Sequence, residues 1–267
     1  RPRTLLPKVF DQHKLAGKTP GTRVPDDAWV ESFCQTLFKA TPDQAADFAG
    51  AALADGIAPD AICEAICLAA NQLVLRDIGR TEREVQPGNP LGSVHGDSIG
   101  VHASDSANAW RNMVKFSNAR NQFACTILGA FQVAYDRVNR GGDFLNWQPR
   151  PHAEHLEKIT TRDPSKLLAE AEAAIRANEQ ARAAAIVHLI GELRHSPRPV
   201  LDLLLKYAIS EDGALHAEKY YRTAAEEFAN MRQPFRWRQL TALARVTASE
   251  FGSPAAGCDE AMELLKV

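Results

Sequence analysis

The chain has 267 residues, 45% hydrophobic, 7% aromatic and 24% charged, values of a globular protein long enough to bury a sizeable core. Few aromatics and many alanines favour packed helices over a β-sandwich or barrel, and no apolar run reaches the length that spans a bilayer. With 31 Lys and Arg against 33 Asp and Glu the formal charge is -2, which excludes a whole-chain field able to gather nucleic acid or an anionic membrane.

Residues 1–25 carry Pro2, Pro7, Pro20 and Pro25 among basic residues and predict an extended arm. Pro25-Asp26-Asp27 ahead of AWVESFCQTLF is a helix N-terminus, and Thr41-Pro42-Asp43 opens a second helix that Gly56 closes. Pro59-Asp60 starts AICEAICLAANQLVL, apolar nearly all round and so predicted to be buried. From Thr81 to Gly100 the chain holds Pro87, Gly88, Pro90, Gly92, Gly96 and Gly100, a loop of the length that often carries function. Helices resume at about His102 and at about Ala119. Arg140-Gly141-Gly142 and WQPRPHAEH then separate two halves, after which Asp163-Pro164-Ser165 opens one very long helix to about Arg194, ended by Pro197 and Pro199. VLDLLLKYAI, ALHAEKYYRTAAEEFANM and FRWRQLTALARVTASEF supply the remaining core helices, and a short one follows in the tail.

The expected architecture is an all-α bundle: an arm over 1–25, then a single domain over 26–267 made of two related halves, about 26–140 and 160–255. The halves share an order of features. AICLAANQL, GVHASDSANAWR and ARNQFACTILGAF in the first stand against AIVHLIGEL, ALHAEKYYRTA and FRWRQLTALARV in the second, which sets His102 opposite His216, Asp105 opposite Lys219 and Arg120 opposite Arg238.

The five cysteines, Cys34, Cys63, Cys67, Cys125 and Cys258, form no C-x-x-C pair and read as buried thiols, an odd count that does not make a disulfide framework. Histidine is the richer signal, because neutral imidazoles drawn from several elements are the commonest metal donors. His102 with Asp105, and His216 with Lys219, are spaced i, i+3, so each pair is expected on one helical face. His188 sits in the apolar stretch AAAIVHLIGEL and is expected to be buried, while His95 lies among glycines that let backbone approach a ligand. Lys219 has no lone pair as an ammonium, so at a metal it must be deprotonated, carbamylated or only a hydrogen-bond donor. His152 and His155 flank Glu154 in a Pro-rich linker, where a solvated loop is preferred to a ligand pair; His13 and His195 read as surface residues.

GVHASDSANAWR and DGALHAEKYYRTA resemble the questin oxidase-like family, with a His-Ala motif opening one helix and a late Gly-Asp-Ala-His-x-x-Lys type of motif. That resemblance covers about two dozen residues and implies a helical, flavin-independent oxygenase with a non-haem iron held by histidines, pointing to His102, His216 and a Lys219 that is carbamylated and binds metal. APDAICEAICLAANQLV is similar at the level of fold to carboxymuconolactone decarboxylase and alkylhydroperoxidase-like helical proteins, whose redox Cys-x-x-Cys is absent here.

The first functional expectation is thus a metal-dependent oxidoreductase, an Fe(II) oxygenase of a small organic substrate, aromatic ones included. His102, His188 and His216 would be ligands, His95 and Lys219 candidates for the remaining positions, Asp105 and Glu218 would orient the imidazoles, and Trp110, Tyr220 and Tyr221 would line the substrate pocket. Zn or Cu are the alternatives to iron, and a metal-dependent hydrolase or lyase with the same ligands is the second expectation. A helical scaffold or ligand-binding protein without catalysis is the third. No phosphate-binding loop, dinucleotide fingerprint, nucleophile elbow or H-E-x-x-H is present, so no nucleotide cofactor is expected. Nucleic-acid and membrane partners are not expected, and a homo-oligomer fits the charged helix surfaces. The chain begins with Arg1 rather than Met; a cytoplasmic protein is favoured, with an exported form that has lost a targeting segment as the alternative.

Overall fold

The computed structural model describes residues 2–87, 89–94, 98–211 and 216–266. Among the described residues every regular element is an α-helix, and extended pairing is limited to isolated bridges such as Arg23 with Ile57, so the expected all-α class holds. None of these helices is long and apolar enough to cross a membrane. The chain forms two compact units, Arg1–Leu73 with His102–Asn146 and Val74–Val101 with Trp147–Val267. Residues 74–101 are gathered into the second unit, so the compact units are not continuous stretches of chain.

The first unit is built on α1 (Pro2–Gln12), α2 (Asp27–Lys39), α3 (Pro42–Ala54), α4 (Pro59–Arg76), α5 (Ile99–Phe116) and α6 (Ala119–Arg140), with the last turn of α4 and the first of α5 belonging to the second. The start signals act as the spacing predicts. Asp26 accepts a hydrogen bond from the Trp29 amide, and Thr41 and Gln44 form a reciprocal capping box with Pro42 in the first turn. Helix α3 packs on α6, and α4 is buried on every face from Ala61 to Leu75.

The segment 1–25 is not an extended arm throughout, since α1 occupies nearly half of it. Pro7 deletes only one N–H from the ladder, and the helix is held by docking: Val9 is buried, His13 Nε2 lies 2.7 Å from Asp47 Oδ1, and a Cβ on Gly50 of α3 would stand 2.6 Å from Val9 Cγ1. Gly50 is what allows that approach. Tertiary contact here overrides a proline-rich composition.

The second unit continues with α7 (Ala153–Glu157), α8 (Pro164–Arg176), α9 (Gln180–Glu192), α10 (Arg198–Ser210), α11 (Ala217–Asn230), α12 (Gln233–Glu250) and α13 (Cys258–Leu265). Helix α12 is its axis, packed by α8, α9, α10 and α11, and every residue from Gln239 to Glu250 is buried. Burial of Leu240, Leu243 and Val246 contributes about 2 kcal/mol each. Gly191 of α9 lies against Trp237 of this helix; a Cβ at 191 would fall 2.5 Å from the indole ring.

The single long helix expected over 165–194 is two helices. Asn178 takes a left-handed conformation at φ 53°, its amide donates to the Ile175 carbonyl, and the Glu179 amide donates to Ala174, the pair of bonds that closes a Schellman motif. The Asn178 side chain then donates to the carbonyls of Ala248 (3.0 Å) and Phe251 (2.8 Å), tying the break to the end of α12. An asparagine is suited to this place because it tolerates the left-handed region and brings its own donor.

Candidate metal centre

The residues singled out by the sequence are dispersed in character. His102 is exposed on α5 while Asp105, three residues on, is buried, so the two do not share one environment. His188 is half-buried rather than enclosed: its Nε2 faces Glu192 Oε1 at 4.0 Å, and its pKa is lowered first by burial, with Glu192 opposing and Arg238 reinforcing. His216 is the half-buried N-cap of α11 and gives no side-chain cap, and Glu218 and Lys219 behind it are exposed. His95 lies outside the described residues. Trp110 packs beside Cys63, Val114 and Cys125 and against Gly129, a core role in the first unit. Tyr220 is fully buried, and Tyr221 packs at the edge of the second unit's core, its pKa raised by burial and by Asp202.

The ligand geometry arises elsewhere. Among the described residues, the group of three His, Cys, Asp or Glu side chains whose donor atoms all lie within 4.8 Å of one another is His152, Glu154 and His155. This does not bring His102, His188 and His216 into one such group. The segment follows a cis Arg150-Pro151 bond and forms the N-cap and first turn of α7, so His152 and His155 sit three positions apart with rings at 6.1 Å. His152 Nε2 is 3.3 Å from the Gln148 carbonyl, a partner that holds the proton on that nitrogen and leaves Nδ1 free. His155 Nε2 is 3.5 Å from Glu154 Oε1.

Electrostatics favour a neutral donor at His155. Burial lowers its pKa, Glu154 works against that, and His152, Lys158 and Arg150 add to it, so the imidazole lone pair is available near neutral pH. First-row metals draw their ligands to about 2 Å, closer than the donor atoms stand here, so the half-buried histidines and the exposed Glu154 would have to turn toward the ion.

His155 also lines a cleft of about 600 Å³ with Arg150, Lys158, Ile159, Gln180 and Arg182. The wall behind is polar and fixed. Gln180 Nε2 donates to the Gly92 carbonyl, and Gln180 Oε1 accepts from Arg245 Nε (2.9 Å) and Ser249 Oγ (3.3 Å). Arg245 Nη1 donates to the Val74 carbonyl. Arg245 is wholly buried on α12; burial, with Arg150 adding to it, pushes its pKa down to about 9 against the pull of Asp77 and Tyr220. Sequence reasoning passed over Arg150, Lys158, Gln180 and Arg245, although an arginine inside the otherwise apolar LTALARV is a visible signal.

No family model, curated protein or solved structure matches this chain.

Proposed function

We propose that the chain is a mononuclear metal-dependent enzyme whose metal is held by His152, Glu154 and His155, with ferrous iron and oxygenase chemistry on a small organic substrate as the assignment. The observation that carries this reading is the clustering of two imidazoles and one carboxylate within 4.8 Å, with His155 of that cluster lining a cleft. Two histidines and a carboxylate with further positions open are the donor set of non-haem ferrous oxygenases. When bound there, such an ion supplies a place where dioxygen and substrate can meet. The chain's own residues do the rest: the Gln148 carbonyl orients His152, burial and neighbouring cations keep His155 deprotonated, and the cleft offers room for an organic molecule beside His155.

The test is elemental analysis of protein purified without chelator and reloaded anaerobically with ferrous ion, followed by oxygen-electrode measurements with candidate substrates. One ion per chain is expected for the wild type and for His216→Ala, and a loss to near zero for His152→Ala combined with His155→Ala. Metal retained by that double variant, or lost in His216→Ala alone, overturns the assignment in favour of the other histidines. Turnover with zinc and without oxygen uptake would move the chain to the hydrolases.

A further inference from the structure

The cleft beside His155 has a charge pattern that a metal ligand set does not need. Arg150 is half-buried, its Nε is shielded from solvent, and among the described residues its guanidinium makes no hydrogen bond or ion pair, although the charges of Asp77 and Glu154 act on it. Lys158, on the exposed rim, has no carboxylate within bridging distance either. Glu179 pairs with Arg182 at 3.0 Å, while the carboxylates whose charge reaches Arg150, Asp77 and Glu154, act on it through space without accepting a hydrogen bond from it. A half-buried guanidinium whose shielded Nε has no acceptor is costly to leave so, and an incoming ligand can supply that acceptor.

Two further features point the same way. Helix α9 begins in the cleft wall with Glu179 as N-cap, which gives no side-chain hydrogen bond, so the first-turn amides of Ala181 and Arg182 have no capping acceptor. Behind the wall, outside the cleft lining, Arg245 is held by Gln180 and faces the charge of Asp77, so its positive field reaches the cleft only through the wall. Leu91, Ile159 and Ala181 give the same cleft apolar surface, which suits an organic body attached to the charged group.

We infer that this cleft binds the carboxylate or phosphate group of a small organic molecule, with Arg150 as its principal partner and Lys158 at the rim. Its identity as the substrate's own anionic group rests on the metal-centre reading; binding of the anion does not. Arg150 supplies a planar fork to two oxygens, the α9 amides approach from the wall, and Lys158 adds a point charge that solvent screens.

The experiment is isothermal titration of benzoate and, separately, inorganic phosphate into the chelator-treated full chain at low ionic strength and neutral pH. Saturable binding of at least one is expected, and the tighter of the two tells whether the natural group is a carboxylate or a phosphate. Arg150→Gln is expected to weaken it about tenfold or more, Lys158→Gln about threefold, and Arg198→Gln, an exposed arginine paired with Asp202, not at all. Should Arg150→Gln fail to fold by circular dichroism, Lys158→Gln on the rim carries the comparison against Arg198→Gln. Absence of saturable binding of both anions, or equal weakening by Arg198→Gln, overturns the inference. His152→Ala is expected to bind the anion undiminished, so failure of the metal site and failure of the anion site are read apart.

Discussion

Arg111 and Asp60 meet in a parallel pair of hydrogen bonds, Nε to Oδ1 at 2.8 Å and Nη2 to Oδ2 at 2.9 Å, with the arginine only 2% exposed and the aspartate at the start of α4. Burial pushes the Asp60 carboxyl up, but the Arg111 hydrogen bond and charge, with Lys115, outweigh it and leave the pKa below its ordinary value. A depressed folded pKa means stability that is present above the unfolded value and lost as pH falls through the folded one. Asp60→Asn is expected to cost about 2 kcal/mol at neutral pH and to flatten the acid limb of the stability curve, as measured by urea unfolding from neutral pH downward.

Asp136 behaves in the opposite sense. It is buried on α6, with Gln132 Nε2 donating to its Oδ1 at 2.8 Å, and burial raises its pKa to about 6 despite that bond. Because the folded pKa lies above the unfolded one, the contribution is complete below about pH 4 and is lost as pH rises through about 6. Asp136→Asn should therefore stabilise the protein at pH 7 to 8 by up to about 3 kcal/mol, while changing little at pH 4. Thermal melts across that range check it.

Asn178 combines a left-handed backbone with two side-chain bonds to the end of α12. Asn178→Ala is expected to lose about 2 to 3 kcal/mol, and Asn178→Gly about half of that, since glycine restores the backbone but not the bonds. The difference between the two variants in denaturant unfolding separates the contributions.

Metal loading should register as stability. An ion bound only by the folded chain at a hundred times its dissociation constant adds about 2.7 kcal/mol, so ferrous or zinc ion should raise the melting temperature of the wild type and leave that of the His152→Ala, His155→Ala variant unchanged.

Much of the helical order was legible because its punctuation is local. Asp26, Thr41-Pro42 and Asp163-Pro164 cap the helices they announce, and Gly56 follows the end of α3. The break at Asn178 was not, because an asparagine amid Ala, Glu and Arg has no periodic signature and acts through carbonyls 70 and 73 residues away. Helix α1 was hidden for a related reason, its stability lying in Gly50 and Asp47 rather than in its own composition. For the candidate site, the sequence around His152 and His155 carries the signature of a loop, since five residues of helix leave no periodic pattern to recognise. The residues that give the cleft its charge come from the segment before α7, the C-cap of α7 and the first turn of α9, and no short window of sequence holds them together.

The enclosure of α12 ties recognition to global cooperativity. Arg245, Gln239 and Ser249 lie on a helix that solvent reaches only when the surrounding helices come away together, so the amides of 239–250 should be the last in the second unit to exchange with deuterium. An anion seated against Gln180 would slow that exchange from outside, and a reader of isotope uptake would see occupancy of the cleft at the slowest hydrogens in the unit.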